Sequence, residues 1–254
     1  MQIVGYDTGA DDAAAEPALR LATADGLDRQ SLAADTELAY TLGERHCAGV
    51  VEDGRHFACD RSTAPYCDEH RSRWACARCV GDCELPLPSC REEHAVYLAA
   101  FAPSTFKVGV TRSWRRETRL REQGADRAAH LRTVADGRIA RRIEAEIATD
   151  VPDRVHVPTK VAGLHRTVDE DAWTDVLAEF EPLASYDFEY GLGLSDRPVA
   201  ETLLTGTVRG TKGRVLVLDN GGSTYAVDMR DLVGYEVTAG GTDRELQSSL
   251  GAFG

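Results

Sequence analysis

Seven cysteines (Cys47, Cys59, Cys67, Cys76, Cys79, Cys83 and Cys90) fall within 44 residues of a 254-residue chain. An odd number confined to one segment argues against a disulfide framework and for metal binding. His70 raises the set to eight soft or borderline ligands, enough for two tetrahedral sites. In chain order they read Cys47-x11-Cys59-x7-Cys67-x2-His70, then Cys76-x2-Cys79-x3-Cys83-x6-Cys90. The two-residue gaps in Cys67-Asp-Glu-His70 and Cys76-Ala-Arg-Cys79 let both side chains of a tight knuckle point at one ion. Four protein ligands per ion leave no position for water, so the chemistry expected is two structural zinc ions and not catalytic ones. A cross-braced pairing satisfies the same order, and His46, His56 or His94 could replace His70. Few large apolar residues separate the ligands, so folding of this segment should be largely metal-binding free energy.

A second chemistry is written in charge. The chain carries 42 acids against 29 bases, a net −13, and only Lys107, Lys160 and Lys212 of its bases are lysine. Dense carboxylate with so little lysine suits a protein adapted to molar internal salt, where screening acts over ~3 Å. From Lys107 to Arg142 the balance reverses: eleven bases face four acids, while the remainder sums to −20. An acidic chain that keeps one basic block is expected to meet an anion there, with Lys107, Arg112, Arg115, Arg116 and Arg119 as nucleic-acid contacts. The plainer alternative is helices laced with surface salt bridges. Thr207-Val-Arg-Gly-Thr-Lys-Gly-Arg214 offers a lesser cationic turn.

These residues need elements to position them. Leu19–Thr23 and Leu38–Leu42 read as short strands around an acidic loop. Ala95–Phe101 and Phe106–Thr111 read as a hairpin through Pro103-Ser104. Helices are expected from Ser113 to Gln123, stopped by Gly124, from Asp136-Gly137 to Ala148 with Ile139, Ile143 and Ile147 on one face, and over Asp171–Leu183. The last seventy residues turn to strands, Leu203–Arg209, Arg214–Asp219, Ser223–Asp228 and Leu232–Val237, with a tight turn at Asp219-Asn-Gly-Gly. The expected order is a β segment (1–46), a double zinc module (47–92), an α+β domain with a small antiparallel sheet (93–184) and a small β domain (185–254). No apolar run reaches the ~20 residues of a membrane span, and no leader pattern opens the chain. A cytoplasmic protein is expected.

Within 95–146, four elements stand in an order that resembles the GIY-YIG endonuclease superfamily: Ala95-Val96-Tyr97, Lys107-Val108-Gly109, Arg119-Leu120 and Ile143-Glu144. The whole chain, zinc cluster first and Lys-Val-Gly-Val-Thr-Arg afterwards, resembles an uncharacterised family catalogued as a domain of unknown function. The nuclease resemblance implies Tyr97 as a phenol or phenolate base, Arg119 as a phosphate clamp, Glu144 as ligand for Mg²⁺ or Mn²⁺, and Lys107 where the superfamily has a second tyrosine. A lysine there binds phosphate electrostatically, and serves as a base only if its pKa is strongly depressed. Glu144 falls in the Ala140–Glu144–Ala148 row, about 60° from the isoleucine stripe, where a site carboxylate and a partner for Arg141 are both readings. Three functions follow as expectations: a metal-dependent nuclease, a non-catalytic nucleic-acid binder, or a scaffold for a protein partner.

Overall fold

The computed structural model describes residues 1–10, 16–71, 79–83 and 87–240. Its strands begin with β1 (Gln2–Asp7), β2 (Ala18–Thr23), β3 (Gly26–Ser31), β4 (Glu37–Arg45), β5 (Val50–Glu52) and β6 (Arg55–Phe57). There follow β7 (His94–Phe101), β8 (Thr105–Arg112), α1 (Arg116–Gln123), β9 (Arg127–Val134), α2 (Gly137–Ile147), α3 (Val157–Gly163), α4 (Glu170–Leu177) and β10 (Ala184–Asp187). The chain closes with β11 (Val199–Ala200), β12 (Leu204–Lys212), β13 (Val215–Asn220), β14 (Ser223–Asp228), α5 (Met229–Leu232) and β15 (Tyr235–Ala239). Two compact units result: residues 1–72 with 190–254, and residues 73–189. Among the described residues, no helix is long and apolar enough to cross a membrane.

The first unit is one nine-stranded sheet in the order β11-β14-β13-β12-β4-β15-β1-β2-β3. β1–β4 from the first expected segment and β11–β15 from the last, separate in the sequence reading, therefore share a sheet, while β10, at the start of the expected 185–254 domain, joins the other sheet. β4 is the junction: it pairs with β12 through Leu204↔Tyr40 and with β15 through Val237↔Leu42. Its alternation explains the fit, since Leu38, Tyr40 and Leu42 face the core while Glu37, Ala39 and Thr41 face out. β13 is apolar at four successive positions, Val215–Leu218, and is buried on both faces. Asp219-Asn-Gly-Gly turns it into β14 as expected. The metal segment read as 47–92 is divided between the two units at residue 72.

The second unit is a four-stranded antiparallel sheet, β10-β9-β7-β8, with helices. Central β7 is buried from Ala95 to Phe101. Val96, Leu98 and Ala100 join Val108, Leu131, Ala140 of α2 and Trp173 of α4 in one core. By the two-residue period, Tyr97 takes the opposite face, where Gln123 of α1 meets it. Asp136 caps α2 by accepting from the Arg138 amide at 2.7 Å, and Gly124 ends α1 in the left-handed conformation. Three readings change. Ile139 is 45% exposed, so only Ile143 and Ile147 of the stripe pack inward. α4, the helix expected over Asp171–Leu183, ends at Leu177; Pro182 bars its extension to Leu183, and the chain turns to add β10. β9 lies inside the basic block, where no strand was expected; Ala128, Ala129 and Leu131 are buried between β7 and β10.

Candidate functional site

Cys47 follows β4, Cys59 follows β6, and Cys67 and His70 share one turn. The ligand atoms of these four residues lie within 4.8 Å of one another. Their spacings include 3.4 Å from His70 Nδ1 to the sulfurs of Cys47 and Cys67, and 4.0 Å between the Cys59 and Cys67 sulfurs. A tetrahedral zinc ion with ordinary bond lengths sets such edges at about 3.5–3.8 Å, so the group could hold a metal such as zinc. The chain also supplies what a thiolate needs. The amides of Gly49 and Cys67 donate to Cys47 Sγ at 3.4 and 3.2 Å. Burial pushes the Cys67 thiol up, but the amides of His70 and Glu69, with Cys47 and Cys59, bring it down to about 7. Gly49 is obligatory: its φ is +64°, and a Cβ would stand 2.0 Å from the Phe57 carbonyl oxygen.

The alternative histidines are engaged elsewhere. His46 lies 3.0 Å from the Cys59 carbonyl oxygen, His56 donates to the Ala48 carbonyl at 2.8 Å, and His94 donates to the Glu92 carbonyl at 2.8 Å. The first two brace the ligand loops. Cys76 lies outside the described residues. Among the described residues no second group of three or more such ligands meets the same distance. Burial and then the nearby Cys79 raise the Cys83 thiol, with Cys90 adding to the effect. The Cys79–Cys83 loop is held on α2, where Arg142 donates to the Gly81 carbonyl at 3.2 Å and pairs with Asp82 at 3.8 Å.

A cleft of about 670 Å³ opens in the second unit, and Tyr97, Lys107, Arg119 and Glu144 all line it. Local rules place them. Tyr97 of β7 pairs directly with Gly109 of β8, which puts Lys107, two residues away, on the same face. Arg119 comes from α1 and Glu144 from α2. A Cβ on Gly109 would meet the Tyr97 hydroxyl at 2.5 Å, so only glycine lets the phenol lie across β8. Tyr97 is 1% exposed, and its oxygen accepts from Gln123 Nε2 at 2.6 Å.

Burial raises the Tyr97 phenol above its ordinary range, against the pull of Arg119. Burial and then the Arg119 charge push the Lys107 ammonium down to about 8, against Glu144 and Asp153. Glu144 accepts from Arg141 at 2.6 Å, and its side chain is 12% exposed. Both readings of Glu144 thus describe one side chain, which lines the cleft and pairs with Arg141.

The basic block does not form one surface. Lys107, Arg112, Arg115, Arg119, Arg138 and Arg141 line the cleft, joined by Arg154 from beyond the block. Arg116 does not: its guanidinium reaches His130 at 3.2 Å and lies 5.4 Å from the Tyr186 ring centroid. Arg127 pairs with Glu170 and Asp187, and Arg121 with Glu117. Sequence reading missed Gln123, Asp153 and Arg154 as lining or supporting residues. No motif marks them; the carbonyl of Pro152, accepting from the Val108 amide at 2.9 Å, is what brings Asp153 and Arg154 to the cleft.

The family model described as "Protein of unknown function (DUF2797)" matches residues 36–237. The chain belongs to the DUF2797 family. No curated protein and no solved structure matches it. The DUF2797 match runs from the start of β4 into β15, so it takes in both the Cys47–His70 group and every residue of the cleft.

Proposed function

We propose that the cleft binds and cleaves a phosphodiester of nucleic acid with the four residues of the GIY-YIG resemblance, but with Lys107 in place of Tyr97 as the base, and that the cysteine groups are structural zinc sites. The observation that carries this reading is the convergence of Tyr97, Lys107, Arg119 and Glu144 on one cleft with seven cationic side chains and two carboxylates on its walls. Arg119 and Arg115 offer planar donors suited to a phosphate. The two titratable groups are pushed apart, Tyr97 upward and Lys107 downward. On this reading Lys107 in its neutral form accepts a proton from water as the water oxygen bonds to phosphorus, and the Tyr97 phenol donates to the oxygen that leaves as the P–O bond breaks. Glu144 is the carboxylate suited to Mg²⁺ or Mn²⁺, which when bound would polarise the phosphate. Cys76, Cys79, Cys83 and Cys90 would hold the second zinc, with the Cys79–Cys83 loop and the turn carrying Cys90 bracing α2 from outside the chemistry.

A second reading is a binder that does not cut. Its support is Arg141, which already pairs with Glu144 at 2.6 Å, together with the lysine in the second tyrosine position. One assay separates the two: labelled single- and double-stranded DNA and RNA are incubated with the zinc-loaded chain and Mg²⁺ or Mn²⁺, at low and at multimolar KCl. Cleavage that falls about a hundredfold or more in Glu144→Gln, with binding retained, is the expected result. Binding with no cleavage selects the second reading. Neither binding nor cleavage overturns both.

A further inference from the structure

Trp114 is 68% exposed, the most exposed large apolar side chain among the described residues, whereas Trp173 of the same unit is 7% exposed. Left in water, most of this indole forfeits the free energy that burial gives Trp173. Its place explains why that surface is open. Trp114 lies in a 3-10 turn, Ser113–Arg115, between β8 and α1. Its neighbours Arg112 and Arg115 line the cleft, and their guanidinium carbons stand 4.7 and 5.8 Å from the ring centroid. Indole Nε1 donates to Glu92 Oε2 at 2.9 Å, and Arg112 donates to the other oxygen of Glu92 at 3.3 Å. These hydrogen bonds, the indole's first, hold Glu92 below the usual carboxylate range, so it remains a charged acceptor. The indole is thus fixed at its edge, carries the Arg112 and Arg115 guanidinium groups over its ring, and still leaves 68% of the residue exposed.

We propose that Trp114 is a stacking platform for one unpaired base of single-stranded nucleic acid, whose backbone enters the adjacent cleft. This rests on the phosphodiester reading of the cleft and adds the strandedness of its ligand. Phosphates alone need only cations, and a duplex offers those equally well. A base inside a duplex has both faces stacked, so an exposed indole beside a phosphate site is useful only to a base with a free face. The flanking guanidinium groups select an anionic chain over an apolar protein segment, and they stack on bases themselves. Ribose and deoxyribose strands share this chemistry.

The test measures fluorescence anisotropy of labelled oligo(dT), oligo(U) and a duplex of equal length with the full zinc-loaded chain. Wild type is expected to bind the single strands more tightly than the duplex. Trp114→Ala should weaken single-strand binding about tenfold, Trp114→Phe should recover most of the loss, and duplex binding should change less than twofold. Quenching of indole emission by oligo(dT), absent in Trp114→Phe, is the independent readout. Unchanged single-strand affinity in Trp114→Ala, or an equal loss on duplex, overturns the platform and leaves the cleft reading intact. A wild type that binds none of the three overturns both.

Discussion

The Cys47–His70 group takes its four ligands from 24 consecutive residues, while the cleft draws on β7, β8, α1, α2 and the segment beyond, from Tyr97 to Arg154. Their electrostatics differ as well. In the first, three cysteine sulfurs and an imidazole crowd together, an arrangement that a shared cation and backbone amides would stabilise. In the second, cations stand beside acids they can exchange: Arg119 and Arg115 with Glu122, Arg141 with Glu144, Arg112 with Glu92. Four protein ligands on one ion would close the first site and make it a structural one. A site of the second kind can release an internal carboxylate partner and accept an anion in its stead.

Stripping the metal should give the largest effect. Structural zinc in small modules contributes on the order of 10 kcal/mol, so chelation should abolish hydrogen-exchange protection over residues 47–70. Cys67→Ser should do the same and lower the melting temperature. Retained protection after metal removal would dissolve the contrast, since the first site would then need no ion. A smaller effect separates cations inside the cleft from those outside it. Arg119→Ala should reduce the slope of log affinity against log salt by about one, while Arg116→Ala, whose guanidinium is turned to His130 and Tyr186, should leave it unchanged. Equal changes would mean that the basic block acts as one surface.

The smallest effect is a pH dependence. Arg119 and Arg141 lower the Lys107 pKa, Glu144 and Asp153 raise it, and burial dominates, leaving it at about 8 against an ordinary 10.5. Between these values the unfolded chain binds a proton that the folded chain does not, so stability should rise with pH from about 8 to about 10.5. Urea melts at the two ends of that window should show the rise, and Lys107→Met should remove it. In the same range a cleaving cleft gains activity with pH and levels off, as neutral Lys107 accumulates. A cleft using Lys107 only as a cation loses affinity instead.

Much of this was legible along the chain. The Cys-x2-His knuckle, the β7–β8 hairpin, the Asp136 cap, the Gly124 stop and the β13–β14 turn are set by spacings of a few residues, and local spacing is what a sequence displays directly. The Tyr97, Lys107, Arg119 and Glu144 order was legible only through resemblance. What tertiary structure decided has one physical cause: pairing and burial depend on groups far apart in sequence. β4 carries no mark that its two neighbours are β12 and β15, some 165 and 195 residues away in the registers Tyr40↔Leu204 and Leu42↔Val237. The basic block reads as a uniform run, yet the fold turns Lys107, Arg112, Arg115 and Arg119 into the cleft and Arg116 away from it. Composition fixes the charge a segment carries; only the packing of α1 and α2 on the sheet decides which of those charges share a cavity, and how far burial shifts the proton of Lys107.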